Sequence, residues 1–329
     1  MTGTCSPTAR LRFRRPALVD APEIFRRYST DPEVTRFLGW PRHRSVADAE
    51  GFIAFSDHEW TTKPAGPLLI ERLDTGQLIG STGLMWDGPA SAQVGYVLAQ
   101  DAWGQGFATE ALGAMVAFAA ERGVTRLAAQ CHPAHGASAH VLEKWGFRLN
   151  ARFVAATFPN LVAREQDSLL FVRPPTVDLE RVADRSDDDV AQCAAMMATS
   201  EPWLTLDRTV DALIPVIDDR DKELHVVRDA HGIAGFAVLD LRGLLNGYVQ
   251  TLCVRPDRRG SGLGAALLTA AELRVLDQSA NVFLCVSSFN TRAQKFYARL
   301  GYETIGVMRD LVITGADEIL LRKTVRSFR

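Results

Sequence analysis

The stretch Val249-Gln250-Thr251-Leu252-Cys253-Val254, followed by Arg259-Gly260-Ser261-Gly262-Leu263-Gly264, decides the reading of this chain, because the same plan occurs upstream. There, Val94-Gly95-Tyr96-Val97-Leu98 leads to Trp103-Gly104-Gln105-Gly106-Phe107-Ala108. Each copy reads as an apolar strand, a glycine turn and a helix, and each closes on a second helix ending in glycine plus an aromatic. Those closing segments are Val141-Leu142-Glu143-Lys144-Trp145-Gly146-Phe147 and Phe296-Tyr297-Ala298-Arg299-Leu300-Gly301-Tyr302. From the second turn glycine to the closing glycine there are 40 residues in one copy (106 to 146) and 39 in the other (262 to 301). A chance Gly-x-Gly would not bring that context with it.

With 329 residues the chain exceeds the size at which a single core usually stops growing, so two domains are expected. The apolar run Ser168-Leu169-Leu170-Phe171-Val172 passes into Arg173-Pro174-Pro175-Thr176, and a Pro-Pro pair continues neither a ladder nor a helix. The expected domains are therefore residues 1–173 and 174–329, the second restarting with the alternating stretch from Val177 to Val182. Early helices are expected over Ala17 to Ser29, over Ser45 to Trp60 and over Asp187 to Ala198, with a hairpin around Asp229-Ala230-His231-Gly232. Behind the glycine turns, Leu112, Met115, Val116 and Ala119 share one helix face, as do Leu263, Leu267, Ala271 and Val275, and both stripes read as core.

Lys and Arg number 37 against 39 Asp and Glu, and neither half is a polycation, which argues against a nucleic-acid partner. The dense run Arg10, Arg12, Arg14 and Arg15 alternates with Leu11 and Phe13, as the solvent face of a first strand would. Five scattered cysteines without Cys-x-x-Cys spacing suggest buried thiols in a reducing compartment. No stretch approaches the ~20 apolar residues needed to span a bilayer, and no signal-peptide pattern opens the chain, so a cytoplasmic protein without a membrane partner is expected. His132-Pro133-Ala134-His135 with His140 lacks the frame of a zinc site, so no metal is expected.

A glycine turn from strand to helix aims backbone N–H groups at one point beside the positive helix end, which suits phosphate. A Walker loop would require Gly-Lys-Ser/Thr, and neither Gly106-Phe107-Ala108 nor Gly264-Ala265-Ala266 supplies it. A dinucleotide fold would require a third glycine, which the first copy lacks, and a turn near the start of its domain.

Arg259-x-x-Gly262-x-Gly264, with Asn290-x-x-Ala293-x-x-Phe296-Tyr297 and Gly301-Tyr302, resembles the GCN5-related N-acetyltransferases. In the first half, Trp103 to Ala111 with Ser138 and Glu143-Lys144-x-Gly146-Phe147 resembles the RimJ/RimL branch of that superfamily, and Asp31 to Leu38 fits it too. The resemblance implies a mixed α/β fold: two tandem domains, each a splayed, mostly antiparallel sheet flanked by helices. It implies acetyl-CoA as co-substrate, its pantetheine arm lying in a gap that opens at a strand bulge.

On that resemblance the cofactor is held by backbone groups of Val97 and Leu98 and of Leu252, Cys253 and Val254. The turns Trp103, Gly104, Gln105, Gly106, Phe107, Ala108 and Arg259, Gly260, Ser261, Gly262, Leu263, Gly264 take the pyrophosphate, with Asn290 nearby. Tyr297 stands where the family places a tyrosine general acid. In the first copy Leu142 and His135 stand in the places of Tyr297 and Asn290, leaving Ser138 as a contact to the sulfur region. Tyr248 and Cys285 occupy neighbourhoods where relatives often carry a Glu base, and His132 is a further candidate base.

A missing carboxylate base favours weakly basic acceptors, because an α-amine of pKa about 7.8 is neutral in about one molecule of seven at pH 7, a lysine of pKa about 10.4 in about one of 2,500. The expected reaction is acetyl transfer to a primary amine, either a small molecule or a peptide α-amine, by a monomer or small homo-oligomer. Two alternatives stand beside it: one domain is inactive and structural, or the protein is a CoA-binding sensor or scaffold without turnover.

Overall fold

The computed structural model describes all residues except 1–4, 164, 176, 178, 244 and 327–329, and leaves the side chains of residues 154 and 155 undescribed. Two compact units emerge: Met1–Leu149 with Phe153–Arg173, and Asn150–Arg152 with Pro174–Arg329. In the expected linker Thr176 lies outside the described residues, as does Asp178 in the restart that follows.

The first unit is built on β1 (Leu11–Arg14), β2 (Leu68–Arg72), β3 (Leu78–Gly88), β4 (Ser91–Leu98), β5 (Arg126–Cys131), β6 (Arg148–Thr157) and β7 (Glu165–Val172). These form one sheet in the order β1-β2-β3-β4-β5-β7-β6. β1 to β4 pair antiparallel in succession, β7 pairs antiparallel with β5, and β4 runs parallel to β5. The helices are α1 (Ala21–Ile24), α2 (Pro32–Thr35), α3 (Val46–Thr62), α4 (Phe107–Glu121) and α5 (Gly136–Lys144).

Side chains of β4 alternate between two cores, as the period of a strand dictates. Ala92, Val94 and Leu98 join the core built by α4, whereas Val97 joins the one built by α1 and α3. The stripe Leu112, Met115, Val116 and Ala119 is buried. The arginine run is fastened rather than free: Arg12 and Arg14 both reach Glu71 across β2, at 2.5 and 2.6 Å.

The expected helix from Ala17 to Ser29 is broken into a 3-10 turn (Leu18–Asp20), α1 and a π turn (Phe25–Ser29). Hydroxyls widen that last turn: Ser29 Oγ donates to Ile24 O and Thr30 Oγ1 to Phe25 O, each five residues back. Asp31 starts α2 by accepting from the amides of Glu33 and Val34, with Pro32 at the first helical position.

The second unit repeats the plan with β8 (Leu179–Val182), α6 (Asp187–Ala198), α7 (Val210–Asp218), β9 (Glu223–Asp229), β10 (Gly232–Asp240), β11 (Tyr248–Val254), α8 (Leu263–Leu276), β12 (Asn281–Ser287), α9 (Thr291–Arg299), β13 (Glu303–Ile313) and β14 (Ala316–Thr324). Its strands lie in the order β13-β14-β12-β11-β10-β9-β8, and β11 with β12 is the parallel pair. Ser186 caps α6 by accepting from Asp189 N at 3.1 Å, and Asp187, Asp188 and Asp189 complement the helix dipole. Leu267 and Val275 of α8 are fully buried. Each such side chain contributes ~1.5–3 kcal/mol of burial.

Within this core Lys323 of β14 and Glu272 of α8 form an ion pair of 2.6 Å, each side chain only 1% exposed. The Lys323 ammonium also lies 4.9 Å from the Tyr302 ring centre. Removing one partner of such a pair strands a charge out of water. Lys323→Ala should therefore lower the stability of the second unit by about 3–5 kcal/mol in urea unfolding. Lys323→Met combined with Glu272→Leu should recover only part of that loss, because buried Asn150 hydrogen-bonds to both side chains and would be left without either partner.

Candidate active site

Each sheet opens at its parallel pair. Among the described residues, β4 and β5 meet only at Ser91↔Arg126, Ala92↔Leu127 and Gln93↔Ala128, and β11 and β12 only at Tyr248↔Phe283. On their other sides β4 stays paired with β3 up to Leu98, and β11 with β10 up to Val254. The result is a strand edge inside each sheet, with backbone groups that no neighbouring strand takes.

Strand geometry decides which residues own those groups. Ala99 N donates to Ile79 O and Arg255 N to Ala234 O, so residues at even spacing from these face the paired strand. Tyr96 and Leu98 therefore face the first gap, and Leu252 and Val254 the second. Val97 and Cys253, expected there from the sequence, are corrected by this alternation: their backbone groups turn to β3 and β10. The expected bulge exists in the second unit, where the register of β11 slips at Gln250 between Val249 and Thr251. In the first unit β4 is regular from Ala92 to Leu98, and the slip falls on β3 between Trp86 and Gly88.

Above each gap the chain makes the same turn. A 3-10 turn (Gln100–Ala102, Pro256–Arg258) leads to two glycines of positive φ, Gly104 (72°) and Gly106 (80°), or Gly260 (82°) and Gly262 (88°). Gly106 and Gly262 are the N-caps of α4 and α8. Alternation of positive and negative φ gathers successive amides into an anion-binding concavity at a helix N-terminus. Phe107, Ala108, Leu263 and Gly264 are ordinary helical residues of the first turn, so the third glycine is not required by backbone conformation.

The residue before each turn ties it to the strand. Trp103 Nε1 donates to Leu98 O at 2.8 Å, and Arg259 Nε donates to Val254 O at 3.0 Å. An indole and a guanidinium thus make the same bond across the same five-residue span. Arg259 also donates from Nη2 to Ser200 Oγ at 2.6 Å, so its side chain braces the turn from behind. Arg10 does similar work in the first unit: Nη1 donates to Gln105 O at 3.0 Å while Nε donates to Glu110 Oε2 at 2.6 Å. Arg255 and Arg258 share Asp229 at 2.8 and 2.7 Å beside the second turn.

Phenols and hydroxyls line the helices that follow. Tyr297 of α9 packs edge-on to Phe296 and Tyr302, with ring centres at 5.3 and 5.7 Å. Burial, and then the neighbouring Cys253, push its hydroxyl well above the ordinary phenol range. Asn290 is the N-cap of α9, its side chain accepting from Ala293 N at 3.2 Å.

Tyr248 lies at the closed base of the second gap, where burial and Cys285 hold its hydroxyl protonated. Tyr248 therefore has the character of an acid, not a base, at neutral pH. Ser138, in the first turn of α5, is hydrogen-bonded through Oγ to the Tyr96 hydroxyl at 3.1 Å. His132 is buried and committed at both nitrogens: Nδ1 accepts from Ala134 N, so Nε2 is the one facing Gln166 Oε1 at 2.8 Å.

Two groups escape the sequence reading. Tyr96 carried a signal in the duplication, since it occupies the register of Leu252. Glu318 of β14 is buried, bonded to Ser287 Oγ of β12 at 2.5 Å and close to Tyr248 and Cys285. No motif points to it, because only the β12·β14 pairing brings it there.

Residues 10–148 match the family model described as an acetyltransferase (GNAT) domain, and residues 220–304 match a second model of the same description. The uncharacterized N-acetyltransferase YoaA of Bacillus subtilis (strain 168) is 32% identical over 144 residues, which cover 43% of this chain and 81% of that protein. The chain belongs to the GNAT acetyltransferase family.

A second relative of this GNAT protein, the uncharacterized N-acetyltransferase p20 of Bacillus licheniformis, is 27% identical over 144 residues, covering 43% of this chain and 80% of that protein. The solved structure of RimL, a ribosomal L7/L12 alpha-N-protein acetyltransferase in complex with coenzyme A, is 20% identical with a TM-score of 0.47. That match covers 51% of this chain and 96% of the RimL chain.

The GNAT turn makes its glycines unequal. Gly262 has a positive φ that an L residue adopts only with backbone strain, whereas a Cβ on Gly264 would sit at ordinary contact, 3.6 Å from Val254 Cγ2 and 3.8 Å from Phe296 Cζ. Gly262→Ala should cost about 1–2 kcal/mol in urea unfolding. Gly264→Ala, gaining helix propensity, should be neutral or mildly stabilising.

Proposed function

We propose that this GNAT protein transfers the acetyl group of acetyl-CoA to a primary amine, and that its second unit is a catalytic centre with Tyr297 as the proton donor. The observation that carries this reading is the open strand edge at Leu252 and Val254, lying directly before a turn of two positive-φ glycines. Pantetheine is a chain of amides, and its N–H and C=O groups complement a strand edge as an added strand would. The turn amides of Gly260 to Leu263 suit the pyrophosphate, with Arg258 adding positive charge. Arg259 contributes through its grip on Val254 O.

In the reaction the amine nitrogen attacks the thioester carbon; the C–N bond forms, the C–S bond breaks, and the departing sulfur needs a proton. Tyr297, half-buried and protonated, supplies it. The nitrogen sheds its own proton to solvent or to a buried carboxylate, for which Glu318, bonded to Ser287 and close to Tyr248 and Cys285, is a candidate. The acceptor class consistent with phenols in place of a strong base is a weakly basic amine, such as a peptide α-amine or an amino-group metabolite.

A chain with its first turn blocked by Gly104→Trp isolates this centre. Thiol release from acetyl-CoA, followed over a panel of peptide N-termini, amino acids, polyamines and aminoglycosides, should persist in that chain. Adding Tyr297→Phe should then lower kcat about 10²-fold. Cofactor binding without thiol release for any amine would instead identify a CoA sensor.

A further inference from the structure

The two units differ in where they carry their tyrosine. Leu142 and Tyr297 are structurally equivalent: each carbonyl accepts from the amide five residues on, Phe147 N and Tyr302 N, both at 3.1 Å. Tyr96 and Leu252 are equivalent too, each lying two residues before the carbonyl that Trp103 or Arg259 holds. The second unit therefore has leucine on the gap-facing strand and tyrosine on the helix. The first has the reverse, tyrosine on the strand and leucine on the helix.

We propose that the first unit is a second acetyl-transfer centre, in which the Tyr96 hydroxyl, held by Ser138, is the proton donor to the departing thiol. The inference rests on the acetyltransferase reading above but concerns a different set of residues. The Tyr96 hydroxyl lies 3.1 Å from Ser138 Oγ and 3.3 Å from Ser138 O. It thus reaches from the strand to the first turn of α5, and the backbone groups of its own residue turn to the gap. Among the described residues its hydrogen-bond partners are one hydroxyl and one carbonyl. Burial raises its pKa to about 12, so it carries a proton at every physiological pH.

The step balances without any further reagent. As the amine–carbon bond forms and the carbon–sulfur bond breaks, the phenol proton passes to sulfur and leaves a phenolate. Ser138 Oγ–H donates to that phenolate at the moment its charge appears. The nitrogen then loses a proton to solvent, and solvent returns one to Tyr96. A phenol that merely filled the core would be replaced by phenylalanine with no change in turnover.

The test uses the full chain with its second turn blocked by Gly260→Trp, so that only the first unit reports. This chain should release thiol from acetyl-CoA with the amine panel. Adding Tyr96→Phe should lower kcat about 10²-fold, leave KM for acetyl-CoA within about twofold, and reduce the solvent deuterium isotope effect on kcat. Ser138→Ala in the same background should give a partial loss in kcat of about tenfold, as expected for a group that steadies the phenolate. Retained kcat in Tyr96→Phe, or a change confined to KM or to the unfolding midpoint, overturns the proposal. So does an inert Gly260→Trp chain; if the Gly104→Trp chain still turns over, that result leaves the second centre standing. If neither blocked chain nor the unmodified protein releases thiol, the acetyltransferase reading falls and this inference with it.

Discussion

The arrangement of both units depends on a parallel strand pair that begins and then lets go. β4 and β5 share three residue pairs and β11 and β12 share one, after which the strands part. Parallel pairing is the weaker ladder and requires a crossover, here α4 or α8, whose apolar stripe packs beneath the opening. From that separation come the unclaimed backbone groups, with a glycine turn following directly on each strand.

Two unlike residues secure the same point in the two units. Trp103 and Arg259 share neither charge nor shape, yet each presents an N–H at the distance needed to reach a carbonyl five residues earlier. What the turn requires is a donor on a long, rigid side chain, not a particular residue type. The same tolerance appears in the tyrosine and leucine that change places between strand and helix. A duplicated fold can keep its geometry while the groups that serve it move between walls, because packing constrains volume and hydrogen bonding constrains only the last atom.

Much of this was legible in the sequence because backbone demands leave strong marks. Glycine at positive φ, proline at a break and apolar residues at helical spacing are read directly, and the turns, the helices behind them and both cores lie where those marks put them. Less visible was which neighbouring strand residue faces the gap. Val97 and Leu98 look alike in a row of letters, and only the hydrogen bond from Ala99 to Ile79 fixes the phase. Which strand carries the bulge is a question of register that local propensity does not encode: it falls on β11 in the second unit and on β3 in the first. Tyr96 was hidden because a tyrosine in an apolar strand reads as core until its hydroxyl is seen to reach Ser138. Glu318 was hidden because its place beside Ser287 comes from a pairing of strands far apart in the chain.

The bond from Trp103 or Arg259 to the strand carbonyl also bears on what the opening in each sheet can pair with. An opening inside a sheet is an adhesive edge, able to template another chain as readily as to receive a small molecule. With the carbonyl of Leu98 or Val254 already occupied, an incoming strand finds its ladder interrupted at that rung. A short ligand with a few amides fits below the interruption, whereas a long extended segment from a neighbouring chain cannot zip past it. The brace thus shortens the run of free rungs, and the edge left open suits a short segment better than a long strand.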